Sequence, residues 1–219
     1  MRIGIIGAGN IGGNLTRRLR ALGHDVSVAN SRGPATLTAL AEETGATPVD
    51  LTEAPRDAQV VIVSVPMKNV SQLPKGLLDS AAPDAVVIDT GNYYPQQRDG
   101  RIEGIESGAT EARWVSEQLG RPVVKAFNNI YAQDLLDRPT APGTTGRRAL
   151  PVTGDEEQAK AVAMRLIDEL GFDPVDAGGL DDSWRYQPGT PAYGPDVDAG
   201  ALRELLAAAS PERPAEFRA

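Results

Sequence analysis

Short runs of apolar, mostly β-branched residues alternate along the chain with stretches whose apolar positions recur at helical spacing. The runs predict strands over residues 2–7, 25–30, 46–49, 59–65, 85–90, 122–127, 149–153 and 173–177. The periodic stretches predict helices over 10–22, 35–44, 68–80, 109–119 and 155–170. Several strand segments, QVVIVSV among them, are apolar at nearly every position, as a sheet covered on both faces requires. Strand and helix in alternation imply right-handed crossovers. The expected fold class is therefore α/β: a doubly wound, mainly parallel sheet of the Rossmann type.

Three stretches break the alternation. Residues 91–108 form a polar loop, 138–148 a loop rich in Pro and Gly, and from Gly178 onward an irregular tail holds an apolar-periodic stretch at 201–209. Loops of this length in a compact domain are usually functional or mobile. With no repeat and no long linker, the pattern predicts one domain over 1–219, with an irregular C-terminal extension from about 178.

Composition narrows the chemistry. Of 219 residues, 41% are apolar and 24% charged, which is globular rather than disordered. No apolar run approaches the ~20 residues that span a bilayer, and the first strand is too short for a signal peptide. The expectation is a cytoplasmic protein without membrane contact. A net charge of -8 argues against nucleic acid, which wants a basic face. The absence of cysteine removes disulfides, thiolate nucleophiles and iron–sulfur ligation, and a single histidine leaves no basis for a multi-His metal site. His24, in the turn ALGHDV entering the second strand, reads as a turn residue at the wrong edge for a proton relay.

The segment GAGNIG follows the first strand and opens the first helix, with Gly7, Gly9 and Gly12 in the GxGxxG spacing. Gly7 suits the tight turn, Gly9 the close approach of a pyrophosphate, and Gly12 close packing of helix on strand. Ala8, Asn10 and Ile11 complete the loop, and the helix N-terminus offers N–H groups and a positive dipole end to phosphates. Nucleotide sites of this kind commonly carry a carboxylate at the end of the second strand, which accepts from the ribose 2′-OH and selects NAD. Here the strand runs into Asn30, Ser31 and Arg32. Asn30 removes the charge that would repel a 2′-phosphate, Ser31 can donate to it, and Arg32 presents a planar fork of donors. Gly33 and Pro34 start the next helix beside the same anion. The site reads as built for NADP(H).

Ligands of open α/β sheets bind beyond the carboxyl ends of the strands. Reading those ends gives Val65 and Pro66 as a wall for the nicotinamide, Lys68 and Asn69 within reach of phosphate or ribose, and Thr90, Gly91 and Asn92 near the carboxamide. Asn128, Ile130 and Ala132 would floor the site and position the reacting rings. Asp89 and Lys125 read as a structural ion pair ahead of a catalytic one. With no histidine in the cleft, oxidation of an alcohol lacks its usual base. Hydride exchange with a flavin or deazaflavin, which mainly needs two rings held face to face, fits better.

These motifs resemble one family, the NADPH-dependent oxidoreductases of coenzyme F420, a 5-deazaflavin. The resemblance covers roughly residues 1–194 and rests on MRIGIIGAGNIGGNLTRRLRALGHDVSVANSRGP, VIVSVPMKNV, VVKAFNNIYA, ALPVTGDEEQAKAVAMRLIDELGFDPVDAGGL and SWRYQPGTPAYG. It implies a Rossmann-type fold, often dimeric, with the glycine loop and a Ser/Arg pair on NADP. It also implies that the FNNIYA segment lies near the nicotinamide and deazaflavin, hence roles for Ile130 and Ala132. The same module is similar to the cytosolic reductase domain of membrane ferric reductases, which use a flavin. The expected co-substrate is F420 or a flavin, and the expected assembly a homodimer. A ferric chelate, an imine or a carbonyl compound is the alternative acceptor, and a non-enzymatic NADPH sensor the alternative function. Trp184, Arg185, Tyr186 and Tyr193 either cover the acceptor or pack a dimer or sheet edge.

Overall fold

The computed structural model describes residues 1–219. The first half runs β1 (Arg2–Ile6), α1 (Asn10–Ala21), β2 (Asp25–Ala29), α2 (Thr38–Thr44), β3 (Thr47–Pro48), β4 (Val60–Val63), α3 (Met67–Val70) and β5 (Val86–Asp89). The second half runs α4 (Glu103–Glu106), α5 (Glu111–Leu119), β6 (Val124–Lys125), α6 (Asp134–Asp137), β7 (Ala149–Val152), α7 (Glu157–Glu169), β8 (Asp173–Asp176) and α8 (Ala199–Ala208). Strands β3-β2-β1-β4-β5-β6 form one parallel sheet. This is a Rossmann-like α/β fold, and the strand order reverses between β1 and β4, where such sheets open a crevice.

Alternate residues of each strand feed two cores. Ile3, Ile5, Val60, Ile62 and Ile88 pack with Leu15 and Leu19 of α1 and with Leu166 and Ile167 of α7. Ile6, Val61, Val63 and Val87 face the other way, onto Met67, Val70, Trp114 and Val115 of α3 and α5. That double coverage is why the strands carry almost no polar position.

The eight strands lie where the apolar runs put them, but they divide into two sheets. β7 and β8 pair only with each other, in parallel, and touch the main sheet through a single antiparallel bridge, Lys125 to Thr153. The helix expected over 68–80 shrinks to the single turn of α3. Pro74 has no N–H for the carbonyl of Val70 and disfavours helical backbone at Leu73, so the turn cannot propagate. The segment expected to be helical over 35–44 opens as a 3-10 turn, Pro34–Leu37, before α2. The polar loop after β5 holds one wide turn, Pro95–Asp99, and α4.

The tail is more ordered than its composition suggests. A 3-10 run, Leu180–Tyr186, leads to α8, which Asp198 caps by accepting from Ala201 N at 2.9 Å. Leu202 and Leu206 of α8 cover the small sheet with Tyr186, Ala149 and Val175. No helix is long and apolar enough to cross a membrane.

Candidate dinucleotide site

The β1–α1 turn is built by two close approaches. Gly7 has φ +103°, and a Cβ there would sit 2.1 Å from Ser64 O, so only glycine lets the turn lie against the end of β4. A Cβ on Gly12 would sit 1.9 Å from Gly7 O, so α1 rests directly on the turn. Gly9 differs from both. It starts α1 with ordinary extended dihedrals, and a Cβ there would meet nothing within 4 Å. No side chain caps the first turn of α1, so its N–H groups and dipole end face the open space beyond Gly9.

That space is a cleft with two lobes. The first, about 410 Å³, lies between the glycine loop, the end of β2 and α3; Asn30, Ser31, Arg32, Asn69 and Gln72 line it. The second, about 350 Å³, lies beyond β5 and β6; Thr90, Gly91, Asn92, Asn128, Ile130 and Ala132 line it with Asn10 and Ile11. Gly9, Ser64, Val65 and Pro66 belong to both lobes, so the cleft is continuous across the glycine turn. A hollow of about 560 Å³ opens at the other end of the sheet, around Pro83, Arg121 and Glu156. It lies at the amino ends of β5 and β6, away from the loops and helix N-terminus that favour a nucleotide, and holds none of the expected residues.

Every residue expected in the cleft lines it except Gly12, Gly33, Pro34 and Lys68. Gly12 is spent on packing, and Lys68 is exposed and borders neither lobe. The Lys68 N–H instead approaches Asp99 Oδ1 at 3.3 Å.

At the end of β2, Asn30 shapes the turn. Its Oδ1 accepts from Arg32 N at 2.9 Å and its Nδ2 donates to Thr36 Oγ1 at 2.9 Å. This Asx-turn presents Ser31 and Arg32 to the first lobe. Arg32 makes no ion pair, and no acidic residue lines that lobe. The neighbouring Arg17 is committed elsewhere, with a two-pronged pairing to Glu43 at 2.7 and 2.8 Å.

The second lobe rests on a buried frame. Lys125 Nζ donates to Asp89 Oδ2 at 2.7 Å and to Gly91 O at 2.5 Å, while Asp89 Oδ1 accepts from Gly91 N at 2.8 Å. Both side chains are buried beneath the lobe, so the pair positions Gly91 instead of facing a ligand. Asn92 Nδ2 donates to Asn128 O at 2.8 Å, and Asn128 Nδ2 to Asn92 Oδ1 at 3.2 Å and Tyr186 O at 3.1 Å. Asn128 Oδ1 is buried without a partner. Asn14 Nδ2 donates to Ala132 O at 2.7 Å and fixes that edge. Phe127, fully buried, holds φ at 62°, a left-handed backbone that a bulky residue adopts only under constraint.

The sequence reading missed Ser64, Tyr94, Arg98, Phe127 and Tyr131 in the second lobe and Gln72 in the first. Nothing in the spacing of GNYYPQQR marks Tyr94 over Tyr93; the fold buries Tyr93 and turns Tyr94 to the cleft. The aromatic tail divides. Tyr193 lines the second lobe, whereas Tyr186 is buried with its hydroxyl 2.7 Å from Thr153 Oγ1. Trp184 lies elsewhere, under the Arg185 guanidinium at 4.6 Å. His24 bonds the Met1 amino group at 3.2 Å and Glu169 at 3.0 Å, far from the cleft, as its place in the turn implies.

Residues 2–93, which contain the glycine turn and the whole first lobe, match the model of NADP oxidoreductase, coenzyme F420-dependent. A solved structure of a hypothetical protein from Sinorhizobium meliloti is 33% identical, with a TM-score of 0.70 over 90% of this chain and 92% of that one. The similarity to the F420-dependent NADP oxidoreductase family lies in residues 2–93. An Arthrobacter sp. FB24 protein named as an F420-dependent NADP-reductase shares the fold, with a TM-score of 0.66 at 19% identity over 95% of this chain and 91% of that one. The rat metalloreductase STEAP3 is 28% identical over 180 residues, 82% of this chain and 34% of that protein. Matches to the curated relatives span only a third to somewhat over half of their length, 50%, 34% and 56%.

Proposed function

We propose that this protein is an NADP(H)-dependent oxidoreductase that exchanges hydride with a deazaflavin or flavin-type acceptor. The observation that carries this is the continuous two-lobed cleft, with an unpaired arginine and no carboxylate at the end of β2. A dinucleotide fits it on three counts. The site of a Gly9 Cβ is open, the first turn of α1 is uncapped, and Asn128 Oδ1 is a buried acceptor that a ligand N–H would satisfy. In this reading Gly7, Ala8, Gly9 and Asn10 hold the pyrophosphate, Ser31 and Arg32 the 2′-phosphate, and Asn69 a ribose. Val65, Pro66, Thr90, Gly91, Asn92 and Asn128 hold the nicotinamide end. NADPH, when bound there, supplies the hydride. Ile130 and Ala132 orient the acceptor and keep water from its face.

The first test is cofactor choice. Arg32→Ala should weaken NADPH by about 2 kcal/mol, roughly 30-fold, through loss of a charged hydrogen bond, and leave NADH unchanged. Fluorescence titration of both nucleotides measures this, and an unaltered preference would remove the 2′-phosphate from Arg32. An acceptor panel with NADPH (deazaflavin, FMN, FAD, ferric chelates, small carbonyl compounds) tests the rest. Similarity to STEAP3 supports ferric-chelate reduction as a second reading, read from the same panel.

A further inference from the structure

The second lobe contains a pair of phenols with no part in the reading above. Tyr94 comes from the loop after β5 and Tyr193 from the segment before α8, and their hydroxyls are in hydrogen-bond contact. The one other bond to either hydroxyl is from Asn92 Nδ2, which reaches Tyr193 Oη at 3.4 Å. Two phenols carry two O–H protons and share one contact, so one O–H is left without a protein partner. Asn92 Nδ2 donates to Tyr193, and either phenol could donate in the contact they share; we assign that donation to Tyr193. With Tyr193 accepting from Asn92 and pointing its own proton at Tyr94, the Tyr94 hydroxyl is the one free to donate into the lobe.

The surroundings favour that donation. Among the residues lining the lobe, the ionisable ones are Tyr94, Tyr193, Tyr131 and Arg98. Tyr131 is 66% exposed at the rim, and arginine does not give up its proton. The Arg98 guanidinium packs 5.1 Å from the Tyr94 ring centroid with its charge paired to Asp99 at 2.9 Å, so it holds the ring in place. Burial holds the Tyr193 hydroxyl above the ordinary phenol range, so it stays a donor behind Tyr94.

We infer that Tyr94, backed by Tyr193, is the proton donor of this site, and that its acceptor is a conjugated C=N or C=O compound. Such an acceptor takes a proton on its heteroatom together with the hydride; a ferric chelate takes single electrons and needs neither. Tyr94 gives its O–H proton to that heteroatom while the acceptor gains a hydride from NADPH. The Tyr94 O–H bond breaks, the heteroatom–H bond forms, and the phenolate recovers a proton from solvent through Tyr193. The inference rests on the NADPH reading.

Tyr94→Phe and Tyr193→Phe test it. Both variants should bind NADPH as the wild type does, which also reports that they fold. In single turnovers with oxidised deazaflavin and with a carbonyl acceptor, Tyr94→Phe should slow transfer about 10²-fold and abolish the solvent deuterium effect. Tyr193→Phe should slow it less. Loss of the solvent deuterium effect in Tyr94→Phe while NADPH affinity is kept is the signature that a merely structural tyrosine would not give. Unchanged transfer in Tyr94→Phe, or a solvent deuterium effect that survives that substitution, overturns the inference alone. A wild-type protein that binds no NADPH, or that reduces only ferric chelates, overturns the parent reading or the acceptor class respectively.

Discussion

Gly9→Val should fold as the wild type does and lose NADPH. The backbone at Gly9 (φ -77°, ψ -161°) is the extended conformation that valine prefers, and no atom lies within 4 Å of the new Cβ. Stability should therefore change little. The added side chain occupies the neck where the two lobes meet, over the N-terminus of α1, where the reading places the pyrophosphate. A ligand forced past it loses about 3 kcal/mol or more, at least ~100-fold in affinity. Gly12→Ala makes the contrast. Its Cβ would sit 1.9 Å from a backbone oxygen, so α1 must move, and the thermal midpoint should fall along with binding. Thermal denaturation with and without NADPH separates the two glycines. A Gly9→Val protein that NADPH still stabilises would place the pyrophosphate elsewhere.

What could be read from the sequence was what is local along it. The β1 run, the glycine loop and the Asn30–Arg32 turn are contiguous, and each residue's neighbours in space are its neighbours in the chain. The apolar runs located all eight strands, because burial on both faces leaves its mark on every residue of a strand. They could not divide those strands between two sheets. β6 is only two residues long, and the chain turns away at Phe127, whose left-handed backbone has no mark in its identity. The apolar spacing over 68–80 is helical, but Pro74 holds the helix to one turn. The acceptor side was least legible. Tyr94 and Tyr193 lie 99 residues apart, and only the packing of the tail against β7 and β8 brings their hydroxyls together. A reading limited to histidine therefore found the cleft without a proton donor.

The buried frame under the second lobe yields the other large effect. Lys125→Met should cost about 3–5 kcal/mol of stability, because it strands the Asp89 carboxylate in a site with no other cation bonded to it. Lys125 and Asp89 are each 1% exposed, so water cannot replace the lost partner. The damage should extend to the site, since Lys125 Nζ also holds Gly91 O, and Gly91 and Asn92 line the lobe. Asp89→Asn in the same chain distinguishes charge from packing. The amide keeps an oxygen for Gly91 N, now at 2.8 Å from Asp89 Oδ1, and leaves no buried charge. The double variant should recover most of the stability that Lys125→Met loses, as replacing both members of a buried pair commonly does. Urea unfolding of the three proteins measures the cycle. If Lys125→Met unfolds at the wild-type midpoint, the ion pair is not what holds this edge of the cleft.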